Sequence, residues 1–184
     1  MSDVLDNATK LELYKLVLAR YKDLINEKES CSISEIRQRV SPYNDFVRKV
    51  RDSMLVDIVP YVPLTHFFTV AQRAMAYVRS IRTCEFSFAF NMDFLEMDSL
   101  KIGTSMDKAI LLAALLRSFE SEDAKVLVSN KGKTFVRFSY SGTLYIFVTE
   151  SGSLLVGDDA MRISSEDPFA YAFNDLVYEN YEEA

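Results

Sequence analysis

Apolar residues in the first part of this chain recur at alternating threes and fours. Leu11, Tyr14, Leu18, Tyr21 and Ile25 keep that spacing and Leu13, Val17 and Leu24 widen the stripe, which predicts a long helix over residues 8–29. Such a stripe is expected to bury against the rest of the chain; a homodimer through the N-terminal helices is its other use. Ser32-x-x-Glu35 is a capping-box pattern opening a short helix through Val40. Ser41-Pro42 offers an N-cap with proline at the first helical position, and the helix that follows carries Phe46, Val47, Val50 and Met54 on one face. Pro60 and Pro63 break the chain. Thr65 is expected to cap a helix to Ser80 with Phe68, Ala71, Met75 and Val78 on one side.

The pattern changes after Arg82. Residues 84–90 alternate apolar with polar or small residues and suit a strand or an extended loop. Ser105 to Phe119 predicts a helix that is apolar almost all round from Ile110 to Leu116, hence buried. Three or four strands are expected to follow, at 124–129, which is β-branched and apolar, and at 134–140, 144–148 and 154–156. They are separated by Asn130-Lys131-Gly132, Ser141-Gly142 and Ser151-Gly152, connections short enough to imply antiparallel neighbours. Asp167-Pro168 is expected to open a C-terminal helix with Phe169, Phe173, Leu176 and Val177 inward, before a frayed acidic tail over 179–184. The order is helices, a central buried helix packed on an antiparallel β-meander, then a C-terminal helix. That is a segregated α+β fold. It divides into a helical N-terminal region, 1–64, and an α+β domain, 65–184.

Composition narrows the function classes. The 184 residues are 49% hydrophobic, with 13 Phe and 10 Tyr, enough for a sizeable aromatic core. A net charge of −6 gives no basic face, and the local basic cluster at Arg37, Arg39, Arg48, Lys49 and Arg51 is diluted by Glu35, Asp45 and Asp52, so no nucleic-acid partner is expected. No apolar run approaches the roughly 20 residues of a membrane span, and no signal-peptide pattern opens the chain. The expectation is a soluble cytoplasmic protein with two reduced thiols, Cys31 and Cys84. The one His, His66, and scattered carboxylates offer no tetrahedral set, so neither metal nor cofactor is expected. If 65–80 is helical, His66 and Cys84 lie at opposite ends of an element about 24 Å long, too far for a dyad. Asp158-Asp159 and Glu166-Asp167 read as loop acids.

The segment Gly103-Thr104-Ser105-Met106-Asp107-Lys108-Ala109 is a tight turn delivering a small polar residue to the start of the buried helix. It resembles the Gly-Asp-Cys-x-Asp-x-Ala motif of the transglutaminase-like (papain-like cysteine hydrolase) superfamily. The resemblance covers roughly residues 65–150. Tyr77–Ile81 is similar to the helix before the nucleophile segment, Asp98-Ser-Leu100 stands where many members have Glu-Thr-Leu, and Leu111–Arg117 is similar to the family's central helix. The resemblance implies a strand carrying a catalytic His and a next strand carrying a catalytic Asp.

The residues at those positions depart from the family. Ser105 stands at the Cys position, Lys133 or Thr134 at the His position, and Thr149 near the Asp position. A helix terminus alone does not ionise a serine hydroxyl; it needs a base. Gly-Thr-Ser followed by Asp107 also reads simply as a helix start, with Thr104 or Ser105 as cap. The expectation is therefore a catalytically inactive transglutaminase-like domain that binds a protein or peptide in a groove lined by Ser105, Phe90 and Phe135. A Ser–Lys amide or ester hydrolase using Ser105 and Lys133, and an unrelated α+β structural protein, remain as alternatives.

Overall fold

A helix without a polar face has to be surrounded. α6 (Ser105–Ser118) meets this condition: every residue from Asp107 to Leu116 is buried. The structure, a computed structural model, describes residues 7–29, 31–86 and 90–181. α6 packs against α3 (Asp45–Met54) and α4 (Pro63–Ser80) and against the strands β3 (Lys125–Ser129) and β4 (Thr134–Tyr140). Both ends of the helix are pinned by ion pairs. Arg39 Nη2 reaches Asp107 Oδ1 at 2.6 Å near the start, and Arg117 Nε reaches Asp175 Oδ1 at 2.6 Å near the end.

The sheet has six strands in the order β6-β5-β4-β3-β7-β8, all neighbours antiparallel. The added strands are β5 (Thr143–Val148), β6 (Ser153–Val156), β7 (Phe169–Phe173) and β8 (Tyr178–Asn180). β3 to β6 form the expected meander. Tyr140 pairs with Thr143, so Ser141-Gly142 is a two-residue hairpin turn, and φ of 50° and 76° at its two residues is the primed geometry that matches strand twist. Alternation sends Val126, Val128, Val136, Phe138, Phe147 and Phe173 toward the helices. Leu127, Phe135, Ile146 and Ala172 point to the opposite face, where α7 (Asp158–Glu166) covers them through Ala160. Val40, Val47 and Met54 from the first 64 residues share the main core with α4 and α6.

Several expectations are corrected. The C-terminal helix over 167–177 is replaced by β7 and β8: Phe169-Ala-Tyr-Ala-Phe173 fits a period of two, and the open edge of β3 supplies its hydrogen bonds. Leu176 is consequently exposed. The helix lies just upstream, as α7, with Asp158 and Asp159 in its first turn, where the dipole favours acids, so these are not loop residues. Asn44, not Ser41, caps α3, its Oδ1 accepting from Phe46 N at 2.9 Å. Thr65 lies inside α4, which begins at Pro63. The capping box at Ser32 and Glu35 does open α2 (Ile33–Arg39). The long N-terminal helix is α1 (Asn7–Glu29), but its stripe is not core: Leu11 to Leu24 is exposed without a break. The extended segment expected over 84–90 and the acidic tail fall partly outside the described residues, at 87–89 and 182–184.

Leu112 and Leu115 are fully buried. Truncating either to Ala should lower the unfolding free energy by about 2–5 kcal/mol, read from urea titration. A loss below about 1 kcal/mol would place that helix face outside the core.

Candidate functional site

The site is assembled by a short parallel pairing. β1 (Arg82–Thr83) lies beside β2 (Ile102–Gly103), which places the segment after α4 against the start of α6. Gly103 packs closely there: a Cβ would stand 2.9 Å from Met97 Cε on α5 (Phe94–Leu100), so a larger residue would require the Met97 side chain to move. Thr104 is the N-cap: its hydroxyl accepts from Asp107 N at 3.1 Å and donates to Asp107 Oδ2 at 2.7 Å. Ser105 is thus the first helical residue. Its amide and hydroxyl both donate to Glu85 Oε1, at 2.9 and 2.6 Å. A carboxylate over open helix-terminal amides satisfies them and complements the dipole.

Asp107, the motif's acid, is structural. Only 1% exposed, it closes the capping box and receives Arg39, which also donates to Asn91 Oδ1 and Met92 O at 3.0 Å each. Lys108 is 4% exposed, and its Nζ donates to Thr83 Oγ1 at 2.9 Å. Burial lowers the Lys108 pKa, with the Glu85 charge pulling it back up.

The structure brings two of the expected positions together. Thr134 and Thr149 are buried and their hydroxyl oxygens lie 2.6 Å apart, with Thr149 Oγ1 also 2.6 Å from Thr134 O. Phe119, at the C-terminal end of α6, shares a cavity of about 410 Å³ with Ser139 and Tyr140. The C-terminal ends of α6 and β4 thus meet there, while Ser105 and Thr134 each open their own element. Among the described residues no hydrogen bond joins them. Lys133 is not brought in: its side chain is exposed in the β3–β4 turn. Phe90 and Phe135 do not share a groove. Phe90 lines a cavity of about 300 Å³ with Glu85, Phe86, Thr104, Met106 and Ile110. Phe135 is on the far face of the sheet against Phe169, ring centroids 5.7 Å apart. One residue beyond Thr134, it must point the other way.

His66 Nδ1 accepts from Val62 N at 3.0 Å, a local helix-start contact. Cys31 and Cys84 are both free. Among the described residues no cluster of three His, Cys, Asp or Glu is placed to hold a metal, and no helix is long and apolar enough to cross a membrane. Sequence reasoning missed Glu85 and Lys108. Ser105-x-x-Lys108 carries a readable signal, since residues three apart share a helix face; Glu85 is brought in by the β1–β2 pairing, which has no sequence signature. Comparison with protein-family models, with curated proteins and with solved structures finds no match to this chain.

Asp107→Ala leaves Arg39 without its partner and opens the capping box, so a loss of about 3 kcal/mol in urea titration is expected, at the lower end for a broken buried pair because Arg39 is partly solvated. A second expectation follows from Lys108. Its folded pKa lies below the ordinary lysine value of 10.5. Between the two, the unfolded chain binds more protons, so stability rises with pH across that window. Lys108→Met removes this slope. The variant should be the more stable protein near neutral pH, and the two urea midpoints should converge as pH rises; parallel curves would contradict burial of the charge.

Proposed function

We propose that this chain is a non-catalytic α+β domain of transglutaminase-like design, acting as a protein- or peptide-binding and assembly module. The observation that carries it is the threonine pair. At the strand positions where the resemblance calls for a base and its orienting acid, two hydroxyls bond to each other. Neither takes a proton from a nucleophile at neutral pH. The Ser105 hydroxyl donates to a carboxylate, a far weaker base than an imidazole. The binding half of the reading is supported by the cavity beside Phe90, where apolar Phe86, Met106 and Ile110 meet Glu85 and Thr104. The assembly half falls to α1, whose apolar positions face solvent.

One observation favours a second reading. Lys108 is buried, has a lowered pKa and sits one helical turn after Ser105, so a Ser–Lys hydrolase would use Lys108 rather than Lys133. Against it, the Lys108 ammonium is bonded to Thr83 and the Ser105 hydroxyl to Glu85.

A fluorophosphonate probe separates the two readings. No adduct at Ser105 is expected by mass spectrometry. An adduct that forms on the native chain and is lost in Lys108→Met would falsify the inactive reading and establish the Ser–Lys one. For the binding half, peptides selected from a random library on the full chain should bind Phe90→Ala at least about tenfold more weakly, as for an aromatic anchor. Equal affinity for the variant would remove the cavity from the reading.

A further inference from the structure

We propose that α1 pairs antiparallel with α1 of a second copy, along the seam Leu11, Tyr14, Leu18, Tyr21 and Ile25. This rests on the assembly half of the reading above and is independent of the cavity beside Phe90. An unbroken exposed run from Leu11 to Leu24 spans about four helical turns, so the helix has no covered face over that length. Eight large apolar side chains in the run are 39–60% exposed. Six of them, Leu11, Tyr14, Val17, Leu18, Tyr21 and Leu24, lie on or beside the seam; at roughly 100 Å² each they present about 600 Å², the upper end of the usual apolar patch on a monomer and approaching the share one partner contributes to a standard interface. Most helical stability in proteins comes from packing of an apolar face rather than from propensity, so this exposed surface calls for a partner.

The pattern on α1 says which partner. Alternating threes and fours over two heptads make a coiled-coil seam, which suits another helix of the same kind. Charge then sets the direction. Lys10, Lys15, Arg20 and Lys22 outnumber Glu12 in the first two-thirds of the helix, and Asp23, Glu27 and Glu29 outnumber Lys28 at its end, so the two stretches are of opposite net charge. Antiparallel pairing that sets Leu18 against Tyr21 and Tyr14 against Ile25 lays each basic stretch over the other's acidic end. Parallel pairing would stack like on like. The pairing is two-fold symmetric and closes at two copies. α1 is tied to the domain at its last residue: Asn91 N donates to Glu29 Oε2 at 3.1 Å and Asn91 Nδ2 to Glu29 O at 2.8 Å. The run from Leu11 to Leu24 is exposed and open to a partner.

Sedimentation equilibrium of the full chain at micromolar concentration tests this. The expected mass is twice 21.1 kDa. Leu18→Glu with Tyr21→Glu should give single chains whose domain keeps its urea midpoint. Direction is read in a Cys31→Ser, Cys84→Ser background with a short bismaleimide. Leu18→Cys lies near its own copy across the two-fold axis and should cross-link; Leu11→Cys lies far from its copy and should not. A single-chain mass for the native protein, an undiminished mass for the double Glu variant, or cross-linking at Leu11 would each overturn the proposal. Peptide binding beside Phe90 should survive the double Glu variant. A monomeric native chain therefore leaves the cavity reading intact, and a failed peptide selection leaves the dimer intact.

Discussion

One buried carboxylate ties the helical layer of this protein together. An all-apolar helix has no polar face to set its rotation or its axial position, and α6 is apolar from Ala109 to Leu116. Its register is set instead by the ion pairs at its two ends, and the more deeply buried acid is Asp107 at its first turn. That side chain holds Thr104 on one oxygen and Arg39 on the other, and Arg39 extends the network to Asn91 and Met92. Asn91 in turn holds Glu29 at the end of α1. One acid thus links α6, α2, the segment before α5 and the base of α1. A charge this deeply buried is tolerable only with all of these partners in place. The residue that looks like part of a catalytic motif is the one on which the packing of the helices depends.

The same first turn explains what kind of site the fold offers. Lys108 is the second charged group drawn into the apolar interior, and Thr83 and Glu85 stand ready for it and for Ser105 because β1 and β2 pair. The polar groups there are matched to one another rather than aimed at a reactant. The cavity beside Phe90 adjoins this cluster through Glu85 and Thr104, so a bound segment would meet groups already held in position.

Much of this was legible from residue spacing, and the misses share causes. The buried helix, the meander and the Ser141-Gly142 turn all carry local signals strong enough to survive tertiary context. The segment Phe169–Phe173 carries two: Phe169 and Phe173 suit one helical face, while Phe-Ala-Tyr-Ala-Phe suits a strand. The free edge of β3, which no local pattern reveals, decides between them. Phe135 could have been placed by alternation alone, since it follows Thr134 on the same strand. The α1 stripe was legible as a helix, but amphipathicity does not state what lies on the apolar side. At the site, Ser105-x-x-Lys108 was visible in the spacing; Glu85, 20 residues upstream of Ser105, was not.

The two sheet edges limit how this protein meets others. β6 has four residues and β8 three, against six and seven in β5 and β4. Edges that short offer an incoming strand few backbone groups, a common protection against strand-to-strand growth. Strand addition at either edge of the six-stranded sheet is therefore disfavoured, and a partner would have to be met by side chains on helices or in clefts. Surfaces of that kind discriminate by shape and charge.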